Sequence, residues 1–165
     1  MSQDMLLPRS DFPAGEFHLS PIETLRGLDP AADNCDPSGW VRAGDQETAA
    51  NVTVGALSGT IRYTVELFAV QADPNLPTWK KTCLPYRGDR EIMHGVDLPG
   101  TPEWAVAIES ARPGSDSTMH AIWGYYRGVL VSAWVSGQGT DVTSDVRALV
   151  PMLFEKQIAR LETLA

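Results

Sequence analysis

Two neighbouring segments with alternating apolar side chains constrain the fold of this sequence more than any other feature. They cover residues 119–126 and 128–135, and Arg127-Gly128 connects them. One face of each segment is apolar, with Met119, Ala121, Trp123 and Tyr125 on the first and Val129, Val131, Ala133 and Val135 on the second. A period of two residues is typical of a β-strand with one buried face, and a short Gly-containing connection is typical of a hairpin. We therefore predict a β-hairpin here.

A second hairpin is predicted in the first half of the chain. Residues 60–70 alternate in the same way. Residues 51–54 are the predicted partner strand, and a turn at Ser58-Gly59 connects the two. The apolar face of the longer strand contains Ile61, Tyr63, Val65 and Leu67. Further strands are predicted at residues 104–108 and within residues 17–26. In the latter we expect Phe17, Leu19 and Ile22 to point inward.

Two helices complete the pattern. Residues 75–83 predict a short helix capped by Asn75, with Pro77 in its first turn and Trp79 buried. A long helix is predicted from Thr143 to Leu164, because apolar residues recur there at helical spacing. Since an interior proline costs about 3 kcal/mol, Pro151 predicts either a bend near residues 147–151 or a helix that starts there.

Strands followed by a terminal helix, without repeated βαβ units, indicate an α+β fold. We predict an antiparallel β-sheet packed by a long C-terminal helix and short additional helices, forming a single domain over residues 1–165. Residues 27–46 and 84–102 are predicted to be loops because they are rich in Pro, Gly and Asp. Trp40 and Val41 are expected to anchor the first loop.

Cys35 and Cys83 are the only cysteines in the sequence. Each occurs in or beside turn-rich sequence, which is typical of a disulfide that joins surface elements in an oxidising compartment. The alternative is two unpaired thiols in a cytosolic protein. A zinc site or a redox pair is disfavoured, because neither cysteine belongs to a CxxC motif. We therefore predict a Cys35–Cys83 disulfide and an extracytoplasmic location.

The charge of the chain limits the classes of partner. The formal net charge is −8, so that the protein would repel the phosphates of nucleic acids and anionic lipid head groups. No apolar run is long enough for a transmembrane helix, and no secretory leader is recognisable. Residues 1–5 have the character of an artificial start, and we expect membrane attachment only through a tether that precedes the domain.

Catalytic motifs are not found. HExxH, GxSxG, GxxxxGK[ST] and GxGxxG patterns do not occur. His120 is expected to be a half-exposed strand residue, and Ser115 and Ser117 belong to a turn. The carboxylates in residues 89–103 are expected to be solvated. We therefore predict a protein without catalytic residues, cofactor or metal ion, and not an enzyme.

Aromatic residues crowd the second half of the predicted sheet, and they have two interpretations. They either form the core, or they line a groove between the sheet and the helix that Arg62 or Arg127 reaches. Trp123, Tyr126, Arg62 and Arg127 are the candidate ligand-binding residues. Because the side chains of a strand alternate, Trp123 and Tyr126 cannot share a face, so that at least one of them should be partly exposed.

Short motifs carry a resemblance to known proteins. Leu6-Leu7-Pro8 with Asp11-Phe12-Pro13-Ala14-Gly15 resembles the opening of a group of mycobacterial lipoproteins and secreted proteins of unknown function. The Arg127-Gly128-Val129-Leu130-Val131 strand and the closing Gln157-Ile158-Ala159-Arg160-Leu161 helix resemble the same group. More distantly, the chain resembles the extracellular sensor domain of a mycobacterial receptor Ser/Thr kinase. The resemblance implies an antiparallel sheet with helices, a cleft that can hold a ligand, and a place in the cell envelope. That sensor domain has two disulfides, whereas this chain has cysteines for one.

Three hypotheses of function remain open. The first is a cell-envelope binding or sensor-like domain whose partner is a small molecule, a lipid or an envelope protein. The second is an accessory module for protein interaction in an envelope or secretion complex. The third is a hydrolase whose catalytic residues meet only in the folded protein.

Overall fold

The computed structural model describes residues 1–26, 35, 48–70, 73–89 and 91–164. Within these ranges the chain forms two helices, α1 (Leu76–Cys83) and α2 (Ser144–Thr163), and two 3-10 turns, Gln3–Met5 and Arg9–Asp11. The strands are β1 (Glu16–Leu19), β2 (Glu23–Arg26), β3 (Thr48–Ser58), β4 (Ile61–Ala69), β5 (Tyr86–Arg87), β6 (Ile92–Gly95), β7 (Val106–Ala111), β8 (Ser117–Tyr126) and β9 (Val129–Gln138). The predicted α+β class is confirmed.

All nine strands of the described ranges belong to one sheet, in which the order is β1-β3-β4-β9-β8-β7-β6-β5 and β2 also pairs with β3. Every pairing is antiparallel. Both predicted hairpins are confirmed, β3–β4 and β8–β9. Arg127 and Gly128 connect β8 to β9 with φ angles of 48° and 84°, the left-handed pair that suits a tight hairpin.

Helix α2 covers one face of the sheet, which we call the helix face. Its buried residues pack on the inward side chains of the four central strands. This core includes Val54, Val65, Leu67, Ile122, Val131, Val135, Val150, Leu153 and Phe154. Gly124 of β8 makes room for the helix, because a Cβ atom there would meet the Phe154 ring at 2.6 Å. Sequence periodicity therefore predicts the faces of β4 and β9 in this core correctly. β8 is buried on both faces: Ile122 belongs to this core, whereas the predicted Ala121 and Trp123 belong to the core on the other face.

The opposite face of the sheet carries helix α1, and we call it the cleft face. Asn75 caps α1 by accepting a hydrogen bond from the Thr78 amide at 3.3 Å, and Trp79 is fully buried. Both observations confirm the predicted short helix. The second core lies beneath α1 and contains Phe68, Leu76, Met93, Ile108, Ala121, Trp123 and Leu130.

The predicted disulfide is present and joins Cys35 to Cys83. Cys83 is the last residue of α1 and is buried. The two Cα atoms lie 5.3 Å apart, within the usual range for a disulfide. The bond thus attaches Cys35 to the last residue of the helix on the cleft face.

The N-terminal segment packs along α2 on the helix face. Leu6, Leu7 and Phe12 are buried in the same core as the helix. Gln157 of α2 is fully buried and holds this segment with both ends of its amide. Its Oε1 accepts from the Leu7 amide at 3.2 Å, and its Nε2 donates to the Met5 carbonyl at 2.7 Å.

Several local predictions are wrong. The long helix begins at Ser144 and continues through the buried Pro151, so that the alternative in which it starts at the proline is wrong. Leu19 and Ile22 are exposed, because Leu19 ends the edge strand β1 and Ile22 lies in the connection between β1 and β2. The strand predicted at 104–108 covers 106–111, and Trp104 lies outside it and is 42% exposed. Trp40 and Val41 lie outside the described residues.

The predicted loop over residues 84–102 contains two strands. Met93 of β6 is buried against the cleft-face core, and β6 pairs with β7 from Ile92 to Gly95. β5 and β6 are only two and four residues long, which is too short for the alternation of side chains to be recognised.

Candidate functional site

A cavity of about 840 Å³ opens on the cleft face, where β7 turns into β8. We call it the Trp134 cleft. Its floor is formed by β7, β8 and β9, and its sides by the β7–β8 turn and by the segment that precedes β6. Among the lining residues that carry hydroxyl groups are Ser110, Ser115, Ser117, Thr118 and Ser136. Its volume falls within the range usual for small-molecule sites.

Trp134 gives the cleft an aromatic wall. It projects from β9 and is half-buried, and its indole Nε1 donates to Glu66 Oε2 at 3.1 Å. Glu66 belongs to β4, and its other oxygen lies 3.5 Å from the Thr53 hydroxyl of β3. A side chain held by both packing and a hydrogen bond is oriented before a ligand arrives.

A carboxylate closes the cleft on the side of β6. Ser110 is buried in β7 and donates from its hydroxyl to Glu91. The turn beyond β7 is fixed by its own hydrogen bonds, from the Ser115 amide to the Arg112 carbonyl at 3.1 Å and from the Ser117 amide to the Ser115 hydroxyl at 3.1 Å. The cleft therefore presents hydroxyls, carboxylates and one indole on ordered backbone.

The four predicted ligand-binding residues do not meet in one site. Trp123 is buried under α1, 5.9 Å from the Phe68 ring. Tyr126 lies on the helix face, half-buried, as the alternation of β8 requires. Arg127 stacks over it, with its guanidinium carbon 5.2 Å from the ring centroid.

Tyr126 and Arg127 border a smaller cavity of about 350 Å³ beside the last turn of α2. This cavity is the counterpart of the predicted groove between sheet and helix. Arg62 lies elsewhere: it is exposed and is the cross-strand partner of Ser136. Since cross-strand partners share a face, Arg62 lies at the border of the Trp134 cleft.

Two histidines flank one carboxylate on the helix face. His94, Glu109 and His120 are cross-strand partners on β6, β7 and β8. The Nε2 atoms of His94 and His120 lie 3.6 and 3.5 Å from the two carboxylate oxygens of Glu109. In the described ranges no group of three or more His, Cys, Asp or Glu residues is arranged to hold a metal ion.

His120 is buried, which corrects the prediction of a half-exposed residue. Burial lowers the pKa of His120 below its ordinary value of 6.5, and the positive charge of Arg147 acts in the same direction. Glu109 opposes both effects, while His94 adds to them. The neutral imidazole is therefore the form that the folded protein prefers.

We expect the free energy of unfolding to fall as the pH drops below about 6.5, since the unfolded chain then binds a proton that folded His120 resists. The loss is complete once the pH lies below the pKa of the folded protein. Urea unfolding at pH 7.5 and 5.5 measures it, and the variant His120→Gln should lose less stability over this interval than the wild type. The exposed His18→Gln variant is the control. An equal loss in wild type and His120→Gln would contradict the assignment.

The hydrolase hypothesis can be compared with this geometry. Among the described cleft residues, Ser110 is the serine whose hydroxyl donates to a side chain, and its partner is the carboxylate of Glu91. His94 and His120 lie on the other face of the sheet, because His120 is the cross-strand partner of Val135, which belongs to the helix-face core, and both histidines pair with Glu109. The cleft thus does not bring either of these histidines to a serine, as acyl transfer by a Ser–His pair would require.

Comparison with known proteins gives a similarity of fold. The chain is similar in structure to the extracellular domain of PknH from Mycobacterium tuberculosis, with a TM-score of 0.61 and 11% sequence identity. The similarity covers 99% of this chain and 97% of that domain. No protein-family model and no curated protein matches the sequence. None of the described helices has the length and apolar character needed to cross a bilayer. At this level of identity the comparison establishes a shared fold over nearly the whole chain.

Proposed function

We propose that this chain is a non-catalytic, sensor-like domain of the cell envelope or of a secreted protein, and that it binds its ligand in the Trp134 cleft. The observation that carries the proposal is the cleft itself. It is about 840 Å³ in volume and its aromatic wall is held by the bond from Trp134 to Glu66. Concave sites with a few oriented polar groups are the usual form of a ligand-binding site.

Two further observations support the location and the class of protein. The Cys35–Cys83 disulfide is of the kind that persists outside reducing compartments. The fold is shared with an extracellular domain over nearly the whole length of both chains. Together they favour a domain that meets its ligand outside the cytoplasm, and they support the sensor-like interpretation of the sequence.

A thermal-shift screen against a chemically mixed library tests the proposal. A ligand present at 100 times its Kd should raise the Tm by roughly 5–10 °C, because it binds only the folded form. Ser136→Trp, which fills the cleft from β9, should abolish that shift. Leu19→Trp, at the exposed edge strand, should keep it. If a ligand still raises the Tm of Ser136→Trp, its site lies outside the cleft. If no compound of the library raises the Tm in a manner that Ser136→Trp abolishes, the result would count against a binding function of the cleft.

A further inference from the structure

We infer that the ligand of the Trp134 cleft is a neutral, polyhydroxylated molecule, a short oligosaccharide. The inference rests on the proposed function, since it names the chemical class that the same cleft would take. It depends on three properties of the described lining: its hydroxyl groups, its indole and its charge.

The polar lining of the cleft suits a ligand with many hydroxyl groups. Eight of the twelve described lining residues have polar side chains, and five of these eight are Ser or Thr. A hydroxyl both donates and accepts, whereas a carboxylate such as Glu91 only accepts. A sugar hydroxyl can therefore donate to the carboxylate and accept from a neighbouring serine at the same time.

The indole of Trp134 supplies the apolar surface that a sugar ring needs. One side of a pyranose carries several C–H groups, and these pack on the negative face of an aromatic ring. The bond from Nε1 to Glu66 keeps the ring in place. Ser136 is two residues further along β9 on the same face, so that hydroxyl and indole can contact one ligand side by side.

The same lining disfavours other classes of ligand. An acyl chain would displace water from the Ser117 and Ser136 hydroxyls and from the Asp89 carboxylate. Burying such polar groups against hydrocarbon without new hydrogen-bond partners is costly. A phosphorylated ligand would meet two carboxylates, Asp89 and Glu91, and one guanidinium, Arg112, among the described lining residues. At the border of the cleft, Glu66 and Arg62 add one charge of each sign, so that carboxylates still outnumber guanidinium groups. Since the carboxylates would repel a phosphate group, an uncharged ligand suits this side of the cleft better.

Saturation-transfer NMR with separate probes tests the inference. The probes are neutral di- to hexasaccharides built from glucose, mannose, galactose or arabinose. Glucose-6-phosphate represents the phosphorylated ligands, and decanoate, used below the concentration at which it forms micelles, represents the acyl chains. We expect transfer to the ring C–H protons of at least one neutral saccharide. Trp134→Ala should weaken its binding about tenfold or more, since a stacking contact is lost. Trp134→Phe keeps a ring and should retain part of the affinity, and Trp104→Phe, on the helix face, should retain all of it.

The outcomes separate the inference from the proposed function. If decanoate or the sugar phosphate binds in a Trp134-dependent manner and no neutral saccharide does, the cleft is a binding site and the inferred class is wrong. If a saccharide binds equally well to Trp134→Ala and to Ser136→Trp, the site is not this cleft and both proposals fail. Circular dichroism of each variant shows whether a loss of binding reflects a loss of fold.

Discussion

Replacing Cys35 and Cys83 together by alanine is expected to lower the free energy of unfolding by about 4 kcal/mol. The disulfide closes a loop between residues separated by 48 positions. In the unfolded chain such a closure removes much conformational entropy, which is the main source of its effect. Cys83 is also buried in the core beneath α1, so that its sulfur contributes packing as well. Urea unfolding of variant and wild type measures the difference.

A reducing agent gives the matched control for this experiment. It should destabilise the wild type by a comparable amount, because reduction opens the same loop without changing a side chain. It should leave the double variant unchanged, since that protein contains no other cysteine. A wild type whose unfolding midpoint does not move on complete reduction would contradict both the stabilising role of the bond and the oxidising environment that we infer from it.

The sheet could be predicted where strands are long and one-sided. β3, β4, β8 and β9 have nine to eleven residues each, enough for a period of two to be recognised. The buried residues of β4, such as Tyr63 and Leu67, lie on the predicted face. The prediction is wrong at the edge of the sheet, because Leu19 and Ile22 are apolar like core residues but lie at the end of the edge strand β1 and in the connection after it. Apolar character alone does not reveal whether anything covers a strand.

The cleft could not be predicted because it depends on long-range contacts. Trp134 and Glu66 are 68 positions apart in the sequence, and Glu91, directly before β6, contacts Ser110 on the neighbouring strand β7. Each residue has an ordinary explanation by itself: a core aromatic, a strand carboxylate, a loop acid. The signal that was available is the series of serines and threonines at residues 110, 115, 117, 118 and 136. These lie at the ends of strands that the hairpin pairing brings together.

The candidate residues of the predicted groove lie in different parts of the sheet, for reasons that differ in how far the sequence shows them. Trp123 and Tyr126 lie on opposite faces, which the alternation of β8 required. Arg62 lies beside the cleft only because β4 pairs with β9 in a register that sets it opposite Ser136. That register follows from two hairpins and the order of the strands, and no local motif encodes it.

Gln157→Leu is expected to destabilise the protein by about 2–4 kcal/mol, although leucine is of similar size and is apolar. Gln157 is fully buried, and it satisfies the amide of Leu7 and the carbonyl of Met5. Removing one group of a buried hydrogen bond leaves the other group without a hydrogen-bond partner from either protein or solvent. The cost of this unpaired, desolvated group is the dominant part of the lost stability. Because the partners belong to the N-terminal segment, the exchange rate of the Leu7 amide hydrogen should rise as well.

Lys156→Ala is the matched control, one residue away on the same helix. Lys156 forms an ion pair with Asp11 of the N-terminal segment at 2.7 Å, but its side chain is 43% exposed. Exposed ion pairs stabilise a protein by about 0–1 kcal/mol, so this variant should unfold close to the wild type. Equal effects of the two substitutions would mean that surface charge holds the segment. A large effect of Gln157→Leu alone means that the N-terminal segment is part of the core of the domain, and that the buried amide contributes to holding it together with the packing of Leu6, Leu7 and Phe12.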